Sequence, residues 1–578
     1  MHHDNTASIL TSDNAERYDF IVIGAGSAGC VVANRLTEVS HWQVLLLEAG
    51  SEEPQVAEVP AMAPTLQQSS IDWSYRTQPQ PHSCRARPMG GCPWARGKVM
   101  GGSSTINYMI YTRGNPADYD EWDYLGNPGW SYEDVLPYFR KLEHNMDPEF
   151  ASDHKYHGTL GPQSIERFPY QDENVKTILE GWKELGLPEV DQNDGQQLGV
   201  MLLQNTAKDG RRASTNTGYI RPIRYERKNL IVQTYAHVTR IMIDPKLKKA
   251  FGIEYVQDGK VRYALANKEV ILSAGSINSP KILMSSGIGP HEQLNSLNIP
   301  LIKDLRVGYN LQDHATIDGV VFALDNRTTR DISEVKRDLQ YYLNTHRGPL
   351  ASTGPLQVSV FLRTSYANDK RPDIQYSFDA VNVDNFYTDP ILAVQTSVFP
   401  LAYYTGFMVR PILLYPRSKG VVQLNQSDPI WGDPEIYANT FTKEPDLATM
   451  VEGIRIALQL LDTHAMEHLG ARLVTTPLPA CASFEFDTDL YWECVTTEYT
   501  ATIYHPVGTC KMGPKDDVTA VVDHELRVYG IKRLRVVDAS IMPNIVRGLF
   551  GWLVVVRQRA LSESHCPRVR TPTDTAFV

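Results

Sequence analysis

Tyr18-Asp-Phe-Ile-Val-Ile-Gly24-Ala-Gly26-Ser-Ala-Gly29-Cys30 is the stretch whose reading decides the fold. An apolar, partly β-branched run, Phe20 to Ile23, enters three glycines spaced G-x-G-x-x-G, and a helix-compatible stretch from Ala28 to Glu38 leaves them. A second apolar run, Val44-Leu-Leu-Leu47, ends on Glu48, so the order is strand, tight turn, helix, strand, acid. In a dinucleotide site each glycine has a physical task. Gly24 permits the turn, Gly26 lets backbone N–H groups approach a pyrophosphate at the helix N-terminus, and Gly29 lets the helix pack closely on the strand. Glu48 can accept hydrogen bonds from a ribose diol. A bare glycine triplet also marks a purely structural βα turn; the flanking strands and the acid fit the dinucleotide fingerprint.

At 578 residues the chain exceeds what one hydrophobic core usually holds, so two or more domains are expected. A hydrophobic content of 42% with 21% charged residues is that of a globular protein rather than a disordered one. The net charge of −11 leaves no basic footprint for nucleic acid. No run approaches the roughly eighteen apolar residues of a membrane span; the longest near the C-terminus, Leu549 to Val556, is interrupted by Gly551. Residues 1–17 lack a basic and an apolar region, so they read as a polar tail and not as a signal peptide, and the compartment stays open. The seven cysteines form no metal-type C-x-x-C pair. Cys84 and Cys92 are close enough to pair across a loop in an oxidising compartment, and the odd total leaves at least one thiol free. Two N-x-S/T triplets occur, at Asn326 and Asn425.

After Glu48 comes an irregular, glycine- and proline-punctuated stretch that runs into Gly97-Lys-Val-Met-Gly101-Gly102-Ser103-Ser104-Thr-Ile-Asn107-Tyr-Met109-Ile-Tyr111. The small residues from Gly101 to Ser104 allow backbone N–H groups close to a ligand, and with Asn107 and Met109 they read as a cofactor wall rather than a plain loop. Trp122, Trp130 and Trp182 lie in amphipathic segments and are expected in the core. Leu230–Thr234, Val238–Ile243, Ala250–Tyr255 and the buried Glu269–Leu272 read as a β-meander returning to the dinucleotide sheet. Pro280 suits the first turn of the helix that follows and Gly287 its stop. Strands such as Gly420–Leu424 and a helix over about Pro445–Thr463 occupy the later half.

Gly97–Tyr111, Gly275–Gly289, His505-Pro506-Val-Gly508-Thr509 and Val536-Val-Asp-Ala-Ser540, in that order, resemble the signatures of the glucose–methanol–choline (GMC) oxidoreductases over roughly Tyr18 to Val546. Ile71-Asp-Trp, Arg96-Gly-Lys and the stretch Gly129–Phe139 resemble the arthropod, FAD–quinone glucose dehydrogenase-like branch, whose members are often secreted. The resemblance implies an α/β protein with a Rossmann-like, glutathione-reductase-type FAD-binding domain and an antiparallel-sheet substrate domain. It implies a discontinuous FAD-binding domain over 18–160, 208–322 and 500–546, a substrate domain over 161–207 and 323–499, and a divergent segment over 547–578. It places FAD in an elongated channel, with Gly24, Gly26, Ser27 and Gly29 at the pyrophosphate and Glu48 with Ala49 at the adenosine ribose. Gly102, Asn107 and Met109 would line the flavin, Val238 the adenine, and Asp538 with Ala539 the diphosphate and ring edge.

Alcohol oxidation needs a hydride to leave for the flavin while the hydroxyl loses a proton, and a neutral histidine is a suitable base. A histidine before proline is by itself more often structural; His505 stands where the family's base does. Thr509 and Cys510 are expected to pack or hydrogen-bond nearby. The implied partners are a small alcohol or sugar and a quinone-like acceptor. One departure stands out. The family's second histidine or asparagine falls, ungapped from Asp538, on Leu549, which can neither donate nor accept a hydrogen bond. That predicts weakened oxidation and flavin retention. An oxygen-using oxidase, a non-redox flavin enzyme and a non-enzymatic flavin-binding isoform are the competing readings.

Overall fold

The computed structural model describes residues 15–325, 330–390 and 398–548. The strand Glu16–Ile23 lies between Val44–Leu47 and Lys260–Leu272, parallel to both. Phe20, Ile21 and Val22 have no solvent exposure, as the unbroken apolar run of a strand covered on both faces requires. Leu534–Val536 pairs parallel with the far side of Lys260–Leu272. The helix Ser27–Leu36 leaves the first strand through Gly24, whose φ of +94° suits glycine. A Cβ on Gly29 would sit 1.8 Å from the Gly24 carbonyl oxygen, so the helix can lie on the strand only without a side chain there.

His237–Asp244, Lys249–Gln257 and Lys260–Leu272 form the expected meander. Leu230–Gln233 does not join it. It adds parallel to Val44–Leu47 at the opposite edge, because the chain turns back at Tyr235 and Ala236, which donate to the carbonyls of Gly50 (2.9 Å) and Glu48 (2.8 Å). The helix Gly275–Ser285 also departs from expectation: it begins five residues before Pro280, which lies inside it. The N–H missing at Pro280 frees the Ser276 carbonyl, and the Thr509 hydroxyl takes it at 2.7 Å.

The second sheet is antiparallel and eight-stranded, in the order Arg472–Leu473, Val321–Ala323, Gly406–Leu413, Ile374–Val381, Val358–Leu362 and Gly199–Leu202, with Ala315–Ile317 and Thr500–Thr502 attached beside it. It therefore takes in residues on the near side of the expected boundaries at 322 and 500. Gly420–Gln423 is instead the middle of a three-stranded sheet with Tyr309–Leu311 and Glu435–Tyr437. The helices Val175–Glu184, Asp446–Leu458 and Asp489–Glu498 share one hydrophobic core with the large sheet, where Trp182 lies 4.8 Å from the ring of Tyr376. Trp122 and Trp130 fill the core of the dinucleotide half.

Cys84 and Cys92 form a disulfide, and so do Cys481 and Cys494, a pair separated by 13 residues that only the packing of a turn on a helix brings together. Cys30 and Cys510 are buried thiols. No described helix is long and apolar enough to cross a membrane. Arg547, expected to open a divergent segment, is built into the fold. Its guanidinium meets Asp118 and stacks 4.1 Å over Tyr415, and its backbone N–H donates to Asp118 at 2.7 Å. Leu549 lies outside the described residues.

Candidate active site

One channel runs between the two sheets, and every residue expected at the cofactor except Gly29 lines it. Gly29 contributes through packing alone. Gly26 and Gly102 face each other from two loops, so closely that a Cβ on Gly102 would lie 2.6 Å from the Gly26 Cα. Backbone from both loops thus forms a narrow cradle that side chains would fill. Two helix N-termini, at Ser27 and Gly275, open onto the same space, and each favours an anion. The hydroxyls of Ser273 and Ser276, also in the lining, are buried without a protein partner. An anionic diphosphate is the chemistry that such a donor set satisfies.

Glu48 is already ordered by the Ala25 and Gly50 N–H groups at 3.0 and 2.9 Å; burial pushes its carboxyl up to about 7 against their pull. Beyond it lie Ala49, Val238 and His237. Burial, with Lys281 and Lys98 adding to it, lowers His237 to about 4, and its ring sits 5.0 Å from Trp431 and 5.8 Å from Trp73, an aromatic pocket suited to a purine. The Asp538 carboxylate is committed within the protein: it accepts from the Gly275 N–H (2.9 Å), the Ser279 hydroxyl (2.5 Å) and the Ser540 N–H (2.9 Å). It fixes the start of that helix, and with Ala539 it lines the channel wall.

At the other end Asn107 accepts from the Met109 N–H (3.1 Å) and from Arg212 (2.7 Å). Met109 is held at φ +63°, a conformation that costs a residue with a side chain about 1–3 kcal/mol and persists because Thr206 N–H grips its carbonyl at 2.7 Å. His505 lines the channel beside Arg96, Thr502 and Tyr504. Asp313 clamps its peptide N–H at 2.7 Å and accepts from the Thr502 hydroxyl; burial pushes this carboxyl up to about 7.

The residue that the sequence did not disclose is His314. Its Nδ1 lies 3.0 Å from Nδ1 of His505, and its Nε2 lies 3.2 Å from the Leu414 carbonyl. The backbone of Leu414 and of Val546 both engage the His314 ring, and a proton on Nε2, toward the Leu414 carbonyl, leaves Nδ1 able to accept. His505 therefore donates from Nδ1 and keeps its lone pair on Nε2. Burial holds His314 near 3 and, with His314 and Arg96 adding to it, drives His505 well below the ordinary histidine value, so both rings are neutral. No local pattern marks His314; it arrives because Ala315 pairs with Thr502 across the sheet. Ser377, Asp379 and Arg410, also not foreseen, line the channel from the large sheet. No cluster of metal-ligating side chains occurs among the described residues.

The N-terminal model of the GMC oxidoreductases matches residues 18–316 and the C-terminal model 416–550. The glucose dehydrogenase [FAD, quinone] of Drosophila melanogaster is 40% identical over 94% of this chain and 85% of its own. The ecdysone oxidase of Bombyx mori is 34% identical over 93% and 80%. The crystal structure of pyridoxine 4-oxidase from Mesorbium loti superposes with a TM-score of 0.79 at 27% identity, covering 95% of this chain and all of that one. Its two sheets, the channel between them and both family models agree: the chain belongs to the GMC oxidoreductase family.

Proposed function

We propose that this protein is an FAD-dependent dehydrogenase of alcohols, a sugar or another primary or secondary carbinol, with His505 as the base and a quinone-like carrier as acceptor. The observation that carries the reading is a neutral His505 at the wall of a channel whose other end fits a dinucleotide, backed by the buried His314. When bound, FAD supplies the hydride acceptance that no side chain provides. Gly24, Gly26 and Ser27 would hold its diphosphate, Glu48 and Ala49 its ribose, Val238 its adenine, and Gly102, Asn107 and Met109 its ring end. His505 takes the hydroxyl proton on Nε2, and His314 keeps that nitrogen unprotonated beforehand. The Arg96 guanidinium beside His505 favours the oxyanion that proton removal creates. The quinone-like acceptor is supported by the name of the Drosophila relative.

An anaerobic screen of alcohols against the purified holoprotein tests this. One alcohol is expected to bleach the flavin absorbance stoichiometrically, and dye reduction without peroxide release is expected in air. No bleaching by any alcohol would reject the dehydrogenase, and peroxide released at each turnover would reject the quinone-like acceptor. The histidine pair has its own test. His314→Phe is expected to slow flavin reduction on the order of tenfold to a hundredfold, because His505 loses the acceptor that fixes its tautomer. His314→Asn, which returns an acceptor oxygen near the lost nitrogen, is expected to recover part of the rate. Equal losses in both variants would remove the tautomer role.

A further inference from the structure

The eight-stranded sheet presents a charged patch to the channel. Strands Ile374–Val381 and Gly406–Leu413 pair antiparallel with Ser377 opposite Arg410. Side chains alternate between faces, so Tyr376, Phe378 and Val409 go to the hydrophobic core while Ser377, Asp379, Arg410 and Ile412 line the channel. Arg410 is held from three sides: Asp379 takes one Nη, Asp318 lies 3.1 Å from the other, and the Ile317 carbonyl lies 3.3 Å from Nε. Asp318 is in turn paired with Arg87. Two guanidinium groups and two carboxylates thus cancel, and the patch is strongly polar without net charge. Fixing such charges against a sheet is costly unless every partner is in place, and here each guanidinium has its carboxylate, so the array is held rigid at the channel wall.

The array is incomplete toward the channel. Asp379 uses one carboxylate oxygen on Arg410, while the other has, among the described residues, the Ser377 hydroxyl at 3.4 Å. A carboxylate offers about four acceptor sites, so Asp379 and Ser377 retain capacity for two donors. Arg410 reaches the Ile317 carbonyl at the end of the strand whose Ala315 pairs with Thr502, so the patch and the turn that carries His505 line the same channel. A substrate lying along that channel can meet the patch and His505 at once.

We propose that Ser377, Asp379 and Arg410 form a subsite that reads a second hydroxyl next to the oxidised one, which makes the substrate a neutral polyhydroxylated alcohol. This deepens the dehydrogenase reading and rests on it. An apolar alcohol would leave Asp379 and Ser377 facing hydrocarbon, the situation in which a site built for hydrogen bonding discriminates most strongly. A neutral patch also gives no preference to a cationic or anionic substrate.

The test uses the holoprotein and matched substrates that differ by one hydroxyl: D-glucose against 2-deoxy-D-glucose, and propane-1,2-diol against propan-1-ol. Flavin reduction is followed anaerobically, and kcat/KM with a dye acceptor gives the ratio within each pair. The wild type is expected to favour the more hydroxylated member of at least one pair by tenfold or more. Asp379→Asn keeps the size and leaves Arg410 its bond to Asp318; it is expected to bring that ratio down toward one. Ser377→Ala is expected to lower it by a few-fold. A wild-type ratio near one in both pairs, or a ratio that survives Asp379→Asn in a variant with full flavin content, would overturn the subsite while leaving the dehydrogenase intact. A wild-type flavin that none of the four compounds nor any other alcohol reduces would overturn the dehydrogenase reading, and the subsite with it.

Discussion

His505→Ala is expected to lower the rate of flavin reduction by alcohols about 10²–10⁴-fold, the range that a well-placed general base contributes. The flavin content should hold, because the residues proposed to grip the dinucleotide, Gly24, Gly26, Glu48 and Val238, line the channel apart from this ring. The loss should fall on the maximal rate more than on the half-saturating concentration, since the imidazole acts on the proton in flight and not on the resting hydroxyl. The pH profile supplies a second reading. Burial, reinforced by His314 and Arg96, keeps His505 neutral well below its ordinary value. Protonation of His505 is therefore expected to cut the wild-type rate only well below pH 6.5, and a limb near 7 would report Asp313, which burial raises to about 7. Stopped-flow reduction across pH 5 to 9 measures both effects. A His505→Ala variant within a few-fold of wild type would show that another group takes the proton.

Glu143→Gln is expected to be the most damaging single change to stability. Glu143 has no exposure and receives an Arg113 guanidinium, the His157 ring at 2.9 Å, the Asn145 amide at 2.9 Å and the Gly158 N–H at 3.1 Å. His157 has a second carboxylate, Asp191, at 2.7 Å. Removing one member of such a buried set leaves charge uncompensated and costs about 3–5 kcal/mol. The pH dependence has a definite sign. Burial works against the charge on His157, but Asp191 and Glu143 outweigh it and raise its pKa from 6.5 to about 9. A folded value above the unfolded one gives stability that is complete below pH 6.5 and fades as pH rises through 9, amounting to about 3 kcal/mol. Urea midpoints of the wild type should therefore drop between pH 6.5 and 9.5, and those of the variant should start lower and change less. A variant profile as steep as the wild type's would show that His157 does not depend on Glu143 for its charge.

What could be read from the sequence was local. The strand–glycine–helix–strand–acid order from Phe20 to Glu48 is written in contiguous residues, and the structure has those elements at those places. Gly101 to Met109 were legible for the same reason: small residues and a close-approach loop leave a mark within a few positions. Pairing over distance left none. Leu230–Gln233 has the composition of any strand, and only its hydrogen bonds to Val44–Leu47 tell which edge it joins. Pro280 looked like a helix start because the lost N–H is harmless there; in the fold Thr509 compensates for it from across the chain. His314 and His505 are brought together by one antiparallel pairing, and Asp379 and Arg410 by another. At this end of the channel one histidine of the two was visible and none of the sheet patch.

The long strand Lys260–Leu272 belongs at one end to the meander that carries Val238 and at the other to the parallel sheet, where it delivers Ser273 and Gly275 to the channel. One run of backbone thus ties the sheet edge at Val238, through Lys249–Gln257, to the loop at Ser273 and Gly275. Neither end can drift relative to the other without breaking backbone pairing, so a single strand would hold in step the two places proposed to grip an elongated cofactor.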